Sequence, residues 1–169
     1  MKFAIPVILL AIISLFYFSK GPKSLSGEIL QQVVNLPSSG LERHLPCRDK
    51  EKCLIVYITP WCSACKTFEK YILPSLPESL DLYSKNAGMS IIIGKDNPGK
   101  INFMGSRIQL PFISDADGKF YRALGTSAVP SFFVVNSSGK IIKQRTGFSA
   151  KGSTPEEMAK NFALNFVGK

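Results

Sequence analysis

Two cysteines two residues apart, in Pro60-Trp61-Cys62-Ser63-Ala64-Cys65-Lys66, are the side chains of this sequence best suited to chemistry. Placed one helical turn apart, they share a face and come close enough to close a disulfide. At the first turn of a helix, unpaired N–H groups and the positive end of the helix dipole favour a thiolate over a thiol at Cys62. Cys65 lies one turn further in, shielded by Cys62. One activated, exposed thiol beside one sheltered, resolving thiol makes a dithiol/disulfide exchange site.

Such a site needs a rigid element to deliver it. The apolar run Cys53-Leu54-Ile55-Val56-Tyr57-Ile58 is rich in β-branched residues and short for a helix, so it reads as a buried strand. After it, Cys65, Phe68, Glu69 and Ile72 recur at helical spacing until Pro74. Downstream, residues 78–86 read as a second helical piece and 89–93 as a buried strand. Asn97-Pro98 opens a helix through Ile101, Met104 and Ile108, with Asn97 as N-cap. Residues 111–113 are extended, and Asp117-Gly118 turns the chain. A hairpin pairs 131–135 with 141–146, and a capping box at Thr154-Pro155-Glu156-Glu157 starts a last helix burying Met158, Phe162 and Phe166. Ahead of the strand, Ser26 caps an amphipathic helix carrying Ile29, Leu30, Val33 and Val34, broken at residues 37–40. Residues 41–52 are charged and irregular. This alternation predicts an α/β fold, a central mixed sheet flanked by helices.

The chain of 169 residues holds one ordinary domain. Its formal charge is +9; without Lys2, Lys20 and Lys23, which flank an N-terminal apolar run, 18 basic residues face 12 acidic ones. The basic residues are scattered singly, a pattern of solvated surface rather than of nucleic-acid binding. Residues 3–18 are uncharged, short for a span, and end in Phe16-Tyr17-Phe18 with no small-residue cleavage site directly after. An uncleaved membrane anchor is the preferred reading over a cleaved signal peptide. Either delivers the rest to an extracytoplasmic, periplasmic compartment, which four cysteines also suit. The expected organisation is an anchor or signal segment at 1–19, a linker and helix at 20–40, and a thioredoxin-like domain at 41–169.

That last assignment rests on a resemblance. Trp61-Cys62-Ser63-Ala64-Cys65-Lys66 and the later Asp117-Gly118-Lys119, Leu124-Gly125, Val129-Pro130-Ser131-Phe132-Phe133-Val134-Val135 and Gly139-Lys140 resemble the thioredoxin fold and, within it, the membrane-tethered TlpA/ResA-like thiol-disulfide oxidoreductases. The resemblance implies a cis Pro130 facing the Cys62–Cys65 couple, Val129 offering its backbone to an extended substrate, and Trp61 packed beside the cysteines to limit solvent access or simply filling core. It implies protein thiols and disulfides as substrates, a membrane or periplasmic electron donor, and no cofactor beyond the redox-active disulfide.

Two departures stand out. Thioredoxins carry a buried acid six residues before the first active-site cysteine; here that position is Val56, leaving Glu69 or a water as substitutes. Ser63-Ala64 supplies no histidine to stabilise a thiolate, which argues against an extreme oxidant. A second pair, Cys47 and Cys53, lies on the order of 20 Å from Cys62 at the opposite edge of the sheet. That pair reads as a structural disulfide, with two free thiols or a second redox couple as alternatives. His44, the single histidine, lies in that distal stretch and receives no catalytic role. The expected function is disulfide exchange in the reducing direction, as in cytochrome c maturation or thiol maintenance, with oxidase or isomerase as the other direction. A Sco-like copper module needs a wider cysteine gap and a late histidine, so no metal ligands are assigned.

Overall fold

The computed structural model describes residues 23–34, 47–149 and 151–168. The expected N-terminal anchor, residues 35–46 and His44 lie outside the described residues. Among those described, no helix is long and apolar enough to cross a membrane.

Strand β1 (Lys52–Ile58) is central and buried along nearly its whole length. Every second side chain of a strand faces the same side, so β1 supplies two cores at once. Leu54, Val56 and Ile58 face one layer; Cys53, Ile55 and Tyr57 face the other. Beside β1 run parallel β2 (Ala87–Gly94) and antiparallel β4 (Ser131–Asn136), with β3 (Phe112–Asp115) and β5 (Ile141–Thr146) at the edges, in the order β3-β2-β1-β4-β5. The parallel β1–β2 pair requires a crossover. Helix α2 (Ser63–Tyr71), a 3₁₀ turn (Leu73–Ser75) and α3 (Leu76–Tyr83) provide it. Pro74 ends α2 as expected, but α3 begins two residues before the sequence reading placed it, because Pro77 sits in its first turn, where a missing N–H costs nothing.

The first layer packs α2, α3, α4 (Pro98–Ile108) and α6 (Pro155–Phe162) on the Leu54–Val56–Ile58 face. An aromatic cluster fastens α2 and α6 to β4: Phe68 and Phe162 each lie near Phe132, with ring centroids 4.9 Å apart in both pairs. Edge-to-tilted geometry of this kind adds about 0.5–1.5 kcal/mol per pair beyond burial. Thr154 Oγ1 accepts the Glu157 N–H at 3.2 Å and Glu157 Oε2 accepts the Ser153 N–H at 2.8 Å, closing the N-terminus of α6. Met158, expected in the core, is only partly buried and packs at its margin.

The opposite face is covered by α1 (Gly27–Val34), through Ile29 and Val33, and by α5 (Lys119–Ala123), through Phe120. Ahead of α1, residues 23–25 join the edge of the sheet: Leu25 N–H donates to Gly139 O at 2.9 Å, and Ile141 N–H to Lys23 O at 3.0 Å. The segment taken as a linker is thus partly a packed cover of the second core.

Helix α5 is held by one carboxylate. Asp115 is buried and accepts three hydrogen bonds: from Phe120 N–H at 2.9 Å, Tyr121 N–H at 3.0 Å and Tyr57 O–H at 2.7 Å. Burial, and then the neighbouring Asp115 carboxylate, pushes the Tyr57 phenol well above its ordinary range. Gly94 makes room for the pair, since a Cβ there would collide with the Tyr57 hydroxyl. Asp115→Ala would leave three donors unpaired, two of them buried and the Tyr121 N–H partly so, at about 1–3 kcal/mol for each buried one. The expected loss is about 3 kcal/mol or more, read as a lower urea midpoint at unchanged slope; Tyr57→Phe, which removes one bond, is expected to cost about 1–3 kcal/mol.

Candidate active site: the Cys62–Cys65 dithiol

Strand β1 ends at Ile58, and the chain turns through Thr59-Pro60-Trp61 to reach α2. Cys62 is the N-cap of α2, in extended conformation (φ −84°, ψ 118°), and its Sγ accepts the Cys65 N–H at 3.1 Å. A sulfur thus fills the role usually taken by a Ser or Asp oxygen, satisfying one of the orphan donors of the first turn. The Cys62 thiol also donates to Val129 O at 3.4 Å. Both cysteines are free, so the structure is the dithiol form; Cys62 is 8% exposed and Cys65 is sealed at 0%.

The Val129–Pro130 peptide is cis, and Pro130 is buried at the start of β4, its carbonyl accepting Gly147 N–H at 2.8 Å. Val129 is thus held at Cys62 two residues ahead of β4. Because its carbonyl holds the resting thiol, an incoming disulfide must displace that contact to reach the sulfur.

Trp61 departs from expectation. It is 59% exposed and does not fill core; the turn swings it outward, where its Nε1–H donates to Lys95 O at 3.1 Å. Its N–H thus finds its partner on the loop after β2, at the surface rather than in the core. Glu69 is not a free proton acceptor either: Arg107 of α4 grips it through two hydrogen bonds, at 3.0 and 2.7 Å. Val56 is fully buried in the same core cluster as both cysteines, with no acid in its place.

Burial pushes the Cys65 thiol well above its ordinary value, with the Cys62 contact adding to the effect and Thr59 opposing it. The ordinary value is 9.0, so up to about that pH native and unfolded chains hold the same proton on this sulfur. Above it the unfolded chain ionises first, the native state binds the extra proton, and stability falls as pH rises. The urea midpoint of the reduced protein is therefore expected to fall between pH 9 and 10 more steeply than that of the oxidised protein, which has no Cys65 proton to lose. The added slope is at most about 1.4 kcal/mol per pH unit. Parallel curves for the two forms would contradict the assignment.

Cys47 and Cys53 form a disulfide with Cα atoms 5.2 Å apart. They belong to the core on the α1 side of the sheet, whereas Cys62 and Cys65 belong to the other. A sheet and the length of β1 separate the two pairs, which bars direct exchange between them. Ser90 Oγ, which donates to Val33 O at 2.6 Å, lies 3.6 Å from Cys47 Sγ, so the disulfide sits beneath the end of α1.

The Redoxin family model matches residues 44–161, well over half of the chain. The chain belongs to the Redoxin family. It is a thiol-disulfide oxidoreductase of the thioredoxin fold. Solved structures show the same fold at low identity. The N-terminal domain of PilB from Neisseria gonorrhoeae is 15% identical, with a TM-score of 0.55 over 71% of this chain and 83% of that one. A secreted Mycobacterium tuberculosis disulfide oxidoreductase homologous to DsbE of E. coli is 17% identical, with a TM-score of 0.50 over 79% of this chain and 96% of that one. No curated protein matches the sequence.

Thr59 and Asp115 escaped the sequence reading. Thr59 stood at the end of the central strand, and Asp115 fell between the extended segment at 111–113 and the Asp117-Gly118 turn with no role assigned to it. The signals available were positional: a hydroxyl three residues before the first cysteine, and a carboxylate five residues before a buried Phe120.

Proposed function

We propose that this Redoxin protein works outside the cytoplasm, tethered by its N-terminal apolar segment, and reduces disulfides of other proteins. Cys62 attacks the substrate disulfide, Cys65 resolves the mixed disulfide, and a membrane or periplasmic donor restores the dithiol. The observation that carries the exchange is the Cys62 Sγ, held between Cys65 N–H and Val129 O and the more exposed sulfur of the couple, with Cys62 8% and Cys65 0% exposed. The direction is supported by what surrounds that sulfur: a helix N-terminus, but neither a histidine in Ser63-Ala64 nor an acid at Val56. The location is supported by the Cys47–Cys53 disulfide, which is at home in an oxidising compartment, and by the apolar stretch at residues 3–18. Substrate recognition falls to Val129, Pro130 and the exposed Trp61 face. Equilibration of the Cys62–Cys65 couple with glutathione buffers tests the direction, and a strongly oxidising potential would overturn it.

A further inference from the structure

Thr59 is completely buried at the end of β1, three residues before Cys62, and its carbonyl accepts the Cys62 N–H at 3.3 Å. Its hydroxyl Oγ1 is enclosed and makes no hydrogen bond of ordinary geometry among the described residues. A buried hydroxyl without a partner is a standing cost, so its retention calls for a moment at which the partner exists. The group it lies against is Cys65, whose ionised form both the backbone and the hydroxyl of Thr59 favour.

We propose that the Thr59 hydroxyl is a hydrogen-bond donor held in reserve for the Cys65 thiolate, acting at the resolving step in place of the buried acid that Val56 does not supply. In the dithiol, the neutral Cys65 thiol offers only a weak acceptor. Once Cys62 is tied up in a mixed disulfide, Cys65 must lose its proton to solvent, and the remaining thiolate accepts the Thr59 O–H. Cys65 Sγ then attacks Cys62 Sγ. The Cys62–Cys65 bond forms, the bond from Cys62 to the substrate sulfur breaks, and the substrate leaves as a thiolate. The hydroxyl keeps its own proton throughout; it lowers the cost of charge at Cys65 and does not serve as the base. Hydrogen bonds to charged groups outweigh those to neutral ones, which is what makes such a donor selective for the thiolate. The titratable groups around Cys65 are Cys62 on the same helix end and, one turn along, Glu69, whose charge is balanced by Arg107 of α4; Lys66 faces solvent. From β4 the neighbours in this core are apolar, Phe132 foremost.

This inference rests on the assignment of attack to Cys62 and resolution to Cys65, but not on the direction of the reaction or the compartment. Dithiobis(nitrobenzoate) separates the steps, because one coloured thiolate is released when Cys62 attacks the reagent's disulfide and a second when Cys65 attacks the resulting mixed disulfide at Cys62. In Thr59→Val the first phase is expected to be unchanged. The second is expected to slow about tenfold or more, with its pH midpoint raised by about one unit or more. Thr59→Ser, which keeps the hydroxyl, is expected to restore both. Because the resting hydroxyl is unpartnered, Thr59→Val is also expected to unfold at no lower urea concentration than the wild type. An unchanged second phase in Thr59→Val, or failure of Thr59→Ser to restore it, would overturn the proposal, as would a lowered urea midpoint for the valine variant. If the division of roles itself were wrong, Cys65→Ala would not halt after one released thiolate with the label on Cys62, a result independent of Thr59.

Discussion

Cys62→Ser is expected to reduce disulfide exchange to background, whereas Cys65→Ala is expected to complete the first half-reaction and stop. The asymmetry follows from burial and from the hydrogen bonds of the resting site. Cys62 Sγ is the sulfur at the surface opening, held at 3.1 Å by Cys65 N–H and at 3.4 Å by Val129 O, and an external disulfide reaches it by displacing one carbonyl contact. Cys65 is sealed beneath it, and burial holds its thiol protonated. A serine oxygen cannot form the mixed disulfide, so nothing follows in Cys62→Ser. In Cys65→Ala the mixed disulfide forms normally, but its resolution must come from a thiol in solution. An oriented intramolecular group is worth effective concentrations far above molar, so at millimolar external thiol the release is expected to slow by about 10³-fold or more. Mass spectrometry of the trapped species should place the substrate on Cys62. Substrate found on Cys65 in the reciprocal variant Cys62→Ala, at a rate near that of the wild type, would reverse the roles.

The parts of this site that are legible in the sequence are those whose residue types are rare elsewhere. A Cys-x-x-Cys after an apolar run fixes the end of β1 and the start of α2, and Val129-Pro130 before Ser131-Phe132-Phe133 fixes the entry to β4. The alternation of β1 also implies two covered faces, since Ile55 and Tyr57 are as apolar as Val56 and Ile58. What covers the second face was less accessible. The stripe on α1 is visible, but its landing place depends on residues 23–25 pairing with the sheet edge, a backbone interaction that no side chain advertises. Helix α5 is only five residues long, too short for a periodic pattern; it exists because Asp115, two residues ahead of the Asp117-Gly118 turn and itself part of no motif, caps it from the end of β3. Trp61 was misplaced for a related reason. Its size argues for burial, while the direction of its side chain is set by the turn at Pro60 and by a carbonyl on another loop. Type and spacing therefore locate the sulfurs, and the groups that tune them are brought in by tertiary contacts.

The reduction potential of the Cys62–Cys65 couple is expected to lie nearer that of thioredoxin, about −270 mV, than that of the strong oxidant DsbA, about −120 mV. A disulfide becomes a strong oxidant when its reduced form is stabilised, and the stabilising groups here can be named one by one. The N-terminus of α2 contributes through the Cys65 N–H on Cys62 Sγ; a helix dipole is worth about 0.3–1 kcal/mol, and about 2 in a partly buried setting. For a two-electron couple 30 mV corresponds to about 1.4 kcal/mol, so this raises the potential by only tens of millivolts. Ser63-Ala64 adds no charged donor, and Glu69 is balanced by Arg107 rather than turned toward the couple. Cys65, buried and protonated, adds no second thiolate to stabilise. Trp61, the single tryptophan, is exposed and directly precedes Cys62, so its fluorescence can follow the couple through a glutathione titration. A midpoint more positive than about −180 mV, the value of protein disulfide isomerase, would sink the reductant reading and make the protein a donor of disulfides instead. The two cysteine roles and the Thr59 hydrogen bond would survive that result, because each describes how charge is handled at a sulfur, and that is the same whichever way the electrons travel.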